Sequence, residues 1–345
     1  MKVSILGASG YIGGELLRLI LIHPEAELFY AGSNSQEGKY IHKVHPNLRG
    51  LTMSKMEKYN VSKAVEADVV FTALPHGQSM DIINELFLTG VKIIDLSADF
   101  RLRDHKIYNK YYREHKYPEL LTKSVYGLPE IYRSKIKSSQ LIANPGCNAM
   151  ASILALIPII HLVDSKHIIS DVKVGSSAAG VLPNLSTHHP ERTNLVRPYS
   201  PVGHRHTGEI EQELSLKAGK KIIVGMTPHA VDLVRGILCT AYTYPISELD
   251  DKDIWKSIRD TYHNEPFIRI VKEKKGLYNL PNPKIVIGSN FCDVGFENDV
   301  EKGRLIMFSA IDNLIKGGSG NAIQNMNIMF GIDEKAGLLY PSLHP

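Results

Sequence analysis

Lys2-Val3-Ser4-Ile5-Leu6-Gly7-Ala8-Ser9-Gly10-Tyr11-Ile12-Gly13 opens the chain. The apolar residues 3–6 form a strand, the three glycines a turn, and Leu16, Leu17, Leu19 and Ile20 the buried stripe of a helix. His23-Pro24 ends that helix, and Glu27-Leu28-Phe29-Tyr30-Ala31 supplies a second strand. Glycine at 7, 10 and 13 allows a tight turn and close backbone approach to a pyrophosphate held at the helix N-terminus. A glycine trio alone is weak evidence; here the strand before it and the helix after it are both present. The second strand ends without the acid that would bind a ribose 2′-hydroxyl. Gly32-Ser33-Asn34-Ser35, with Lys39 nearby, offers donors suited to a 2′-phosphate, so NADP is expected over NAD. The plain alternative is an ordinary polar turn.

Outward from that unit, Asp68–Leu74 and Val91–Leu96 read as buried parallel strands. They lead into Pro75-His76-Gly77 and Ser97-Ala98-Asp99-Phe100-Arg101. Leu141-Ile142-Ala143 is a further strand, followed by Asn144-Pro145-Gly146-Cys147 and a helix expected from about Ala149 to Ile160. Ligands of open α/β sheets lie beyond the carboxyl ends of strands, so these loops are expected around one cleft. A thiol opening a helix sits where the macrodipole favours the nucleophilic thiolate, which singles out Cys147. Cys239 and Cys292, inside apolar runs, read as space-filling. Arg101 could grip a phosphate, or simply pair with Asp99 or Asp104. Residues 105–139 look like a polar excursion.

Beyond the cysteine helix the pattern changes. Ile168–Ser176, Lys221–Met226, Gly236–Tyr244 and Arg304–Asp312 read as strands, and Asp250–His263 and Asn321–Phe330 as helices. Fewer intervening helices point to an α+β domain on a mixed or antiparallel sheet. Lys316-Gly317-Gly318-Ser319-Gly320-Asn321 is another glycine-rich lead into a helix, suited to an anion or cofactor. Between the strands lie Ser186-Thr187-His188-His189-Pro190-Glu191-Arg192, Arg197-Pro198-Tyr199 and Gly203-His204-Arg205-His206. No third ligand stands at metal-binding spacing from His188-His189, so no metal is expected. A histidine serving the cysteine is more economical, first as base and then as acid at the oxygen. Of His204 and His206, expected on one strand face by alternation, His206 is favoured because it borders the helix Gly208–Leu216.

At 345 residues the chain is long enough for two domains with substantial cores. Three cysteines without paired spacing argue against a disulfide framework and fit a reducing cytoplasm. The strand at residue 2 leaves no room for a signal peptide, and the longest apolar run, Ile153–Ile160, is broken by Pro158 and is too short to span a membrane. A net charge of +4 is too mild to indicate nucleic acid.

Taken together, Gly7–Gly13, Ser97–Arg101, Asn144–Cys147, Gly203–His206 running into Glu209-Ile210-Glu211-Gln212-Glu213, and Pro228-His229 resemble the N-acetyl-γ-glutamyl-phosphate reductases, relatives of aspartate-semialdehyde dehydrogenase. The resemblance spans the whole chain. It implies an α/β protein with an NADP-binding Rossmann domain (1–147 plus 317–345) and a glyceraldehyde-phosphate-dehydrogenase-like α+β catalytic and oligomerisation domain (148–316). It further implies Cys147 as nucleophile and His206 as acid/base. Gly7, Gly10, Tyr11, Ile12, Gly13, Ser33, Asn34 and Ser35 would hold NADP(H), with Asn321 near the nicotinamide. A homo-oligomer follows, tetramer before dimer. One segment departs: where acetylglutamyl enzymes run Ser-Gly-Val-Ser-Gly-Ala-Gly-Arg, this chain has Gly175-Ser176-Ser177-Ala178-Ala179-Gly180-Val181 and then the His188-His189 stretch. That version resembles the subgroup whose aminoadipyl or glutamyl substrate rides on a small acidic LysW-type carrier protein, in lysine or arginine biosynthesis. Arg101, His188, His189, Arg192, Arg197, His204 and Arg205 would then serve substrate, phosphate or carrier, the arginines forming a basic rim that steers an acidic partner. The alternatives are a reductase of the free acetylated substrate, and a dinucleotide-binding protein without turnover.

Overall fold

The computed structural model describes residues 1–344. The chain divides into two compact units. One comprises Met1–Pro145 and Gly318–Tyr340; the other begins at Gly146, runs to Gly317 and takes up the chain again at Pro341. Cys147 therefore belongs to the second unit, not to the end of the first as the sequence suggested. The segment from 341 likewise leaves the first unit, and Pro345 lies outside the described residues.

The first unit is a six-stranded, all-parallel sheet: β1 (Lys2–Leu6), β2 (Glu27–Gly32), β3 (Val69–Thr72), β4 (Lys92–Asp95), β5 (Ser124–Tyr126) and β6 (Leu141–Ala143), in the order β2-β1-β3-β4-β6-β5. The strand order reverses between β1 and β3, which puts a topological switch point at their carboxyl ends. Strands buried on both faces need apolar side chains throughout, and Val69–Thr72 is buried along its full length. Helix Tyr11–Ile20 buries Leu16, Leu17, Leu19 and Ile20, while the helix Gly320–Phe330 is buried over all but its last residue. The 105–139 stretch is less irregular than its composition suggests. It holds helices His105–Tyr111 and Pro129–Ser138 and the edge strand β5, whose three residues are too short to leave a period.

The second unit is a mixed seven-stranded sheet. Its strands are β7 (Ile168–Val174), β8 (Val196–Pro198), β9 (Val224–Val231), β10 (Ile237–Thr243), β11 (Ile268–Ile270), β12 (Cys292–Asp299) and β13 (Arg304–Ile311), in the order β11-β12-β13-β10-β7-β9-β8. The strand expected at Lys221–Met226 starts later, at Val224, and runs on to Val231. Strands β8, β11 and β12 escape the sequence reading. In β12 the residues Asp293, Gly295, Glu297, Asn298 and Asp299 are types depleted in strands. Packing overrides that bias, because Cys292, Val294 and Phe296 are fully buried and Arg269 neutralises Asp293 at 2.6 Å.

The helix Cys147–Leu156 lies on this sheet and is buried from Asn148 onward. Small residues Ala149, Ala151, Ser152 and Ala155 let it approach closely. Hydroxyl pins fix its register: Ser152 Oγ lies 2.7 Å from Ser170 Oγ, Ser309 Oγ donates to the Ala151 carbonyl at 2.6 Å, and the Tyr262 hydroxyl donates to Leu154 at 2.6 Å. A helix anchored at several points along its length holds its first residue still.

Candidate active site

Cys147 is the first residue of its helix, and the preceding Gly146 is extended, with no side-chain cap. The cap comes from elsewhere in the same unit. The Gly146 N–H donates to Glu209 Oε2 at 2.9 Å. Glu209 is 1% exposed, and its other oxygen stands 3.9 Å from His206 Nε2. His206 is the first residue of the helix His206–Ala218, so Glu209 lies one turn along it on the same face. This carboxylate sits beside the N-termini of two helices, where negative charge is favoured, and touches both the histidine and the residue before the cysteine.

His204 and His206 do not share a strand face; a turn at Arg205 separates them, and the chain enters the helix at His206. Their rings meet edge to face at 4.9 Å. The His206 N–H donates to His204 Nδ1 at 3.2 Å, which requires His204 to be unprotonated there. Burial, reinforced by the neighbouring Arg205 charge, pushes the His204 pKa down to about 4. His204 is therefore a neutral acceptor that orients the start of the helix at His206.

Asn148 and Tyr199 complete the surroundings of the thiol. Cys147 Sγ lies 3.8 Å from Asn148 Oδ1, and the Tyr199 phenol hydrogen-bonds the Asn148 side chain. Burial first, and then the Cys147 charge, raises the Tyr199 pKa, so the phenol remains neutral. Arg192 donates to the Val174 carbonyl at 2.9 Å, while its buried Nε has no partner among the described residues. Arg197 reaches the Ser186 carbonyl at 3.4 Å, and Arg205, His188 and His189 are exposed. Cys239 and Cys292 are fully buried, as space-filling thiols are.

In the first unit, the turn after β1 is built for close approach. Gly7 has φ +89°, and a Cβ on it would stand 2.3 Å from the Ala73 carbonyl oxygen; a Cβ on Gly13 would stand 2.3 Å from that of Gly7. Gly10 caps the helix without a side chain, leaving first-turn N–H groups for an anion, and Tyr11 is 43% exposed beside it, followed by Ile12. At the end of β2, Ser33 Oγ donates to Ser9 Oγ at 2.8 Å and lies 3.5 Å from Ser35 Oγ. Ser9 is thus a member of a hydroxyl cluster that the glycine pattern masked. Asn34 Oδ1 is turned away, accepting the Tyr59 N–H at 2.9 Å. These residues fit a nicotinamide dinucleotide.

Two candidate residues hold the chain internally. Asn321 is fully buried, and its amide donates to the Gly127 carbonyl and to Asn144 Oδ1, both at 2.7 Å. Arg101 is 6% exposed; its Nε donates to the Asn144 carbonyl at 2.7 Å and an Nη to that of Leu96 at 3.0 Å. Both residues hold Asn144, whose N–H also donates to the Asp95 carbonyl at 2.7 Å.

Known proteins share this two-domain architecture. Residues 2–139 match the NAD-binding domain of the semialdehyde dehydrogenases, and residues 147–313 match their dimerisation domain. A protein of Nitrosopumilus maritimus is 51% identical over the whole of both chains, and one of Pyrococcus horikoshii is 53% identical over 100% of this chain and 99% of that one. Both are provisionally named LysW-L-2-aminoadipate/LysW-L-glutamate phosphate reductase. Among solved structures, aspartate semialdehyde dehydrogenase II of Vibrio cholerae aligns with a TM-score of 0.72 at 18% identity, covering 96% of this chain and 98% of that one. The Candida albicans aspartate semialdehyde dehydrogenase, solved with NADP, aligns at 0.64 and 15% identity, covering 95% and 98%. At such identities the likeness concerns the fold. Two matched domains and half the residues shared from end to end show that the chain belongs to the semialdehyde dehydrogenase family, in the group of its LysW-aminoadipate/LysW-glutamate phosphate reductases.

Proposed function

We propose that the protein reduces an aminoadipyl or glutamyl phosphate, carried on a small acidic LysW-type protein, to the semialdehyde with release of phosphate. The observation that carries the chemistry is the buried Glu209, bonded to the Gly146 N–H and 3.9 Å from His206 Nε2. It joins the histidine to the start of the cysteine helix. The Cys147 thiolate attacks the acyl carbon, the carbon–oxygen bond to phosphate breaks, and a thioester remains. A bound NADPH would supply the hydride. His206, as imidazolium, gives its proton to the oxygen as the thiohemiacetal forms. It then takes that proton back as the carbon–sulfur bond breaks, which releases the aldehyde and restores the thiolate. Glu209 steadies the positive charge of His206 before the first of these steps and after the second, and His204 fixes its backbone.

Gly7, Gly10, Tyr11, Ile12 and Gly13 would hold the pyrophosphate, and Ser33 and Ser35, joined by Ser9, the 2′-phosphate that distinguishes NADP from NAD. Arg192, with its unpartnered Nε, suits the substrate's anionic group better than Arg101 does. The carrier reading is supported by the names of the relatives and by exposed Arg205, His188 and His189 beside Arg197, a basic surface suited to an acidic partner. The matching dimerisation domain supports a homo-oligomer, for which a tetramer is favoured and light scattering gives the mass. Three free thiols suit the reducing cytoplasm, and no helix among the described residues is long and apolar enough to cross a membrane.

The test runs the reaction backwards, measuring phosphate-dependent NADP reduction. Carrier-linked semialdehyde is expected to react, and Cys147→Ser to abolish the reaction. Turnover of free N-acetylglutamate semialdehyde alone would assign the free-substrate activity instead, and turnover by Cys147→Ser would remove the thioester.

A further inference from the structure

We propose that Gly317 and Asp312 form the seat of the Cys147 thiol, positioning it from behind; this rests on Cys147 being the nucleophile. A Cβ on Gly317 would stand 2.8 Å from Cys147 Cβ, and 3.3 Å from both the Asp312 carbonyl oxygen and Ile311 Cδ1. Cys147 Cβ is bonded directly to the helix backbone, so no flexible group can yield at that contact. The glycine-rich lead that the sequence offers to an anion thus has a second use at its first glycine: it lets main chain lie against the cysteine.

Gly317 is held in place. Its N–H donates to the Asp312 carbonyl at 2.9 Å. Asp312 is fully buried, and its carboxylate accepts the N–H groups of Leu314 at 2.8 Å, Ile315 at 3.3 Å and Gly288 at 2.6 Å, with Arg235 Nε 3.0 Å away. One residue therefore fixes the turn from 312 to 317, its carboxylate holding 314 and 315 and its carbonyl holding 317. Next to it, Asn313 is 2% exposed; its Oδ1 accepts the Gly236 N–H at 2.8 Å and its Nδ2 donates to Ser177 Oγ at 2.9 Å. Ser177 lies in the 175–181 segment, where this chain departs from the acetylglutamyl pattern. The same turn that backs the nucleophile thus fixes the segment in which substrate preference is expected to be written.

The two residues are positioning residues, and a displaced sulfur lowers the rate of attack more than it weakens binding, since small misplacements of a reacting group cost about 10²-fold. In the purified full chain, Gly317→Ala is expected to lower kcat on carrier-linked acyl phosphate roughly 10²-fold, with KM and the NADPH Kd unchanged within about twofold. Iodoacetamide labelling of Cys147 should slow in parallel, while the melting temperature falls only slightly from the overpacking. Arg235→Lys, which keeps the charge but loses the fork on Asp312, is expected to show the same kcat-selective loss to a smaller degree and carries the test if Gly317→Ala does not fold. Cys147→Ser is run beside both. If it is inactive while the folded variants keep wild-type kcat and labelling rate, the seat is overturned and the nucleophile stands. If Cys147→Ser turns over, both fall. Equal losses in kcat, in NADPH affinity and in melting temperature would mean general damage and overturn the seat.

Discussion

The Glu209 carboxylate, 3.9 Å from His206 Nε2, stabilises an imidazolium relative to neutral imidazole, and its burial keeps solvent from screening that effect. Arg205 is the neighbouring charge in the chain, and His204, its pKa pushed down to about 4, is neutral at assay pH. Glu209→Gln keeps an oxygen for the Gly146 N–H and removes the negative charge. The expected result is a fall in kcat of on the order of tenfold, with the alkaline decline of the rate moved to lower pH. A pH–rate profile in which that decline stays put would show that the carboxylate does not act through His206. Cys147 and His206 stand out in the sequence because each sits in a motif with local context. Glu209 stands out less, since its contact is a hydrogen bond to a residue far away in the chain; the three-residue spacing from His206 is the available signal. Arg101 and Asn321 show the converse. A polar side chain after a strand or at a helix start looks available to a ligand until burial shows that it is holding the Asn144 turn.

Among the elements, the strand–glycine–helix unit was the most legible, because its period and its glycines state the same geometry. That geometry sets a prediction. Gly13→Ala would force a Cβ to within 2.3 Å of a backbone oxygen, so the turn must open; fluorescence titration should show dinucleotide affinity falling by more than about tenfold, since no flexible side chain can absorb the clash. Ser33→Ala combined with Ser35→Ala should leave the turn intact and act on the 2′-phosphate alone. NADPH affinity should fall roughly tenfold, as expected for one or two lost hydrogen bonds to a charged group, and NADH affinity should stay the same. Loss of both affinities together would refute the assignment of the serines. Elements that the sequence concealed are either three residues long, as are β5, β8 and β11, or, like β12, acidic strands stabilised by a distant partner. Neither kind leaves a local period, and the β12 acids become readable only once Arg269 is seen beside Asp293.

Across the molecule, each unit buries a titrating group, and the two act on stability in opposite directions over the same pH range. In the second unit, His204 titrates at about 4 instead of its usual 6.5, so between these values the unfolded chain binds a proton that the folded one does not. Stability there must rise with pH, by about 3 kcal/mol across the window. In the first unit, Asp95 is fully buried, accepting from Thr72 Oγ1 at 2.8 Å and from the Ser97 hydroxyl at 2.6 Å. Burial, and then the charge of Asp99, raises its pKa from 3.8 to about 6. Here the folded chain binds the extra proton, so stability must fall as pH rises through that window, by a similar amount of about 3 kcal/mol. The two contributions nearly cancel in the whole protein, and single substitutions should reveal them. His204→Asn, which keeps an oxygen for the His206 N–H, should be more stable than wild type at pH 4.5 and nearly equal to it at pH 7.5. Asp95→Asn should show the reverse, gaining about 2 kcal/mol at pH 7.5 from the charge no longer buried and little at pH 4.5. Trp255 is the single tryptophan and lies in the second unit, so its fluorescence during urea unfolding reports the His204 side while far-UV circular dichroism reports both units. Equal pH slopes for the two variants would mean that neither buried group carries the proton assigned to it.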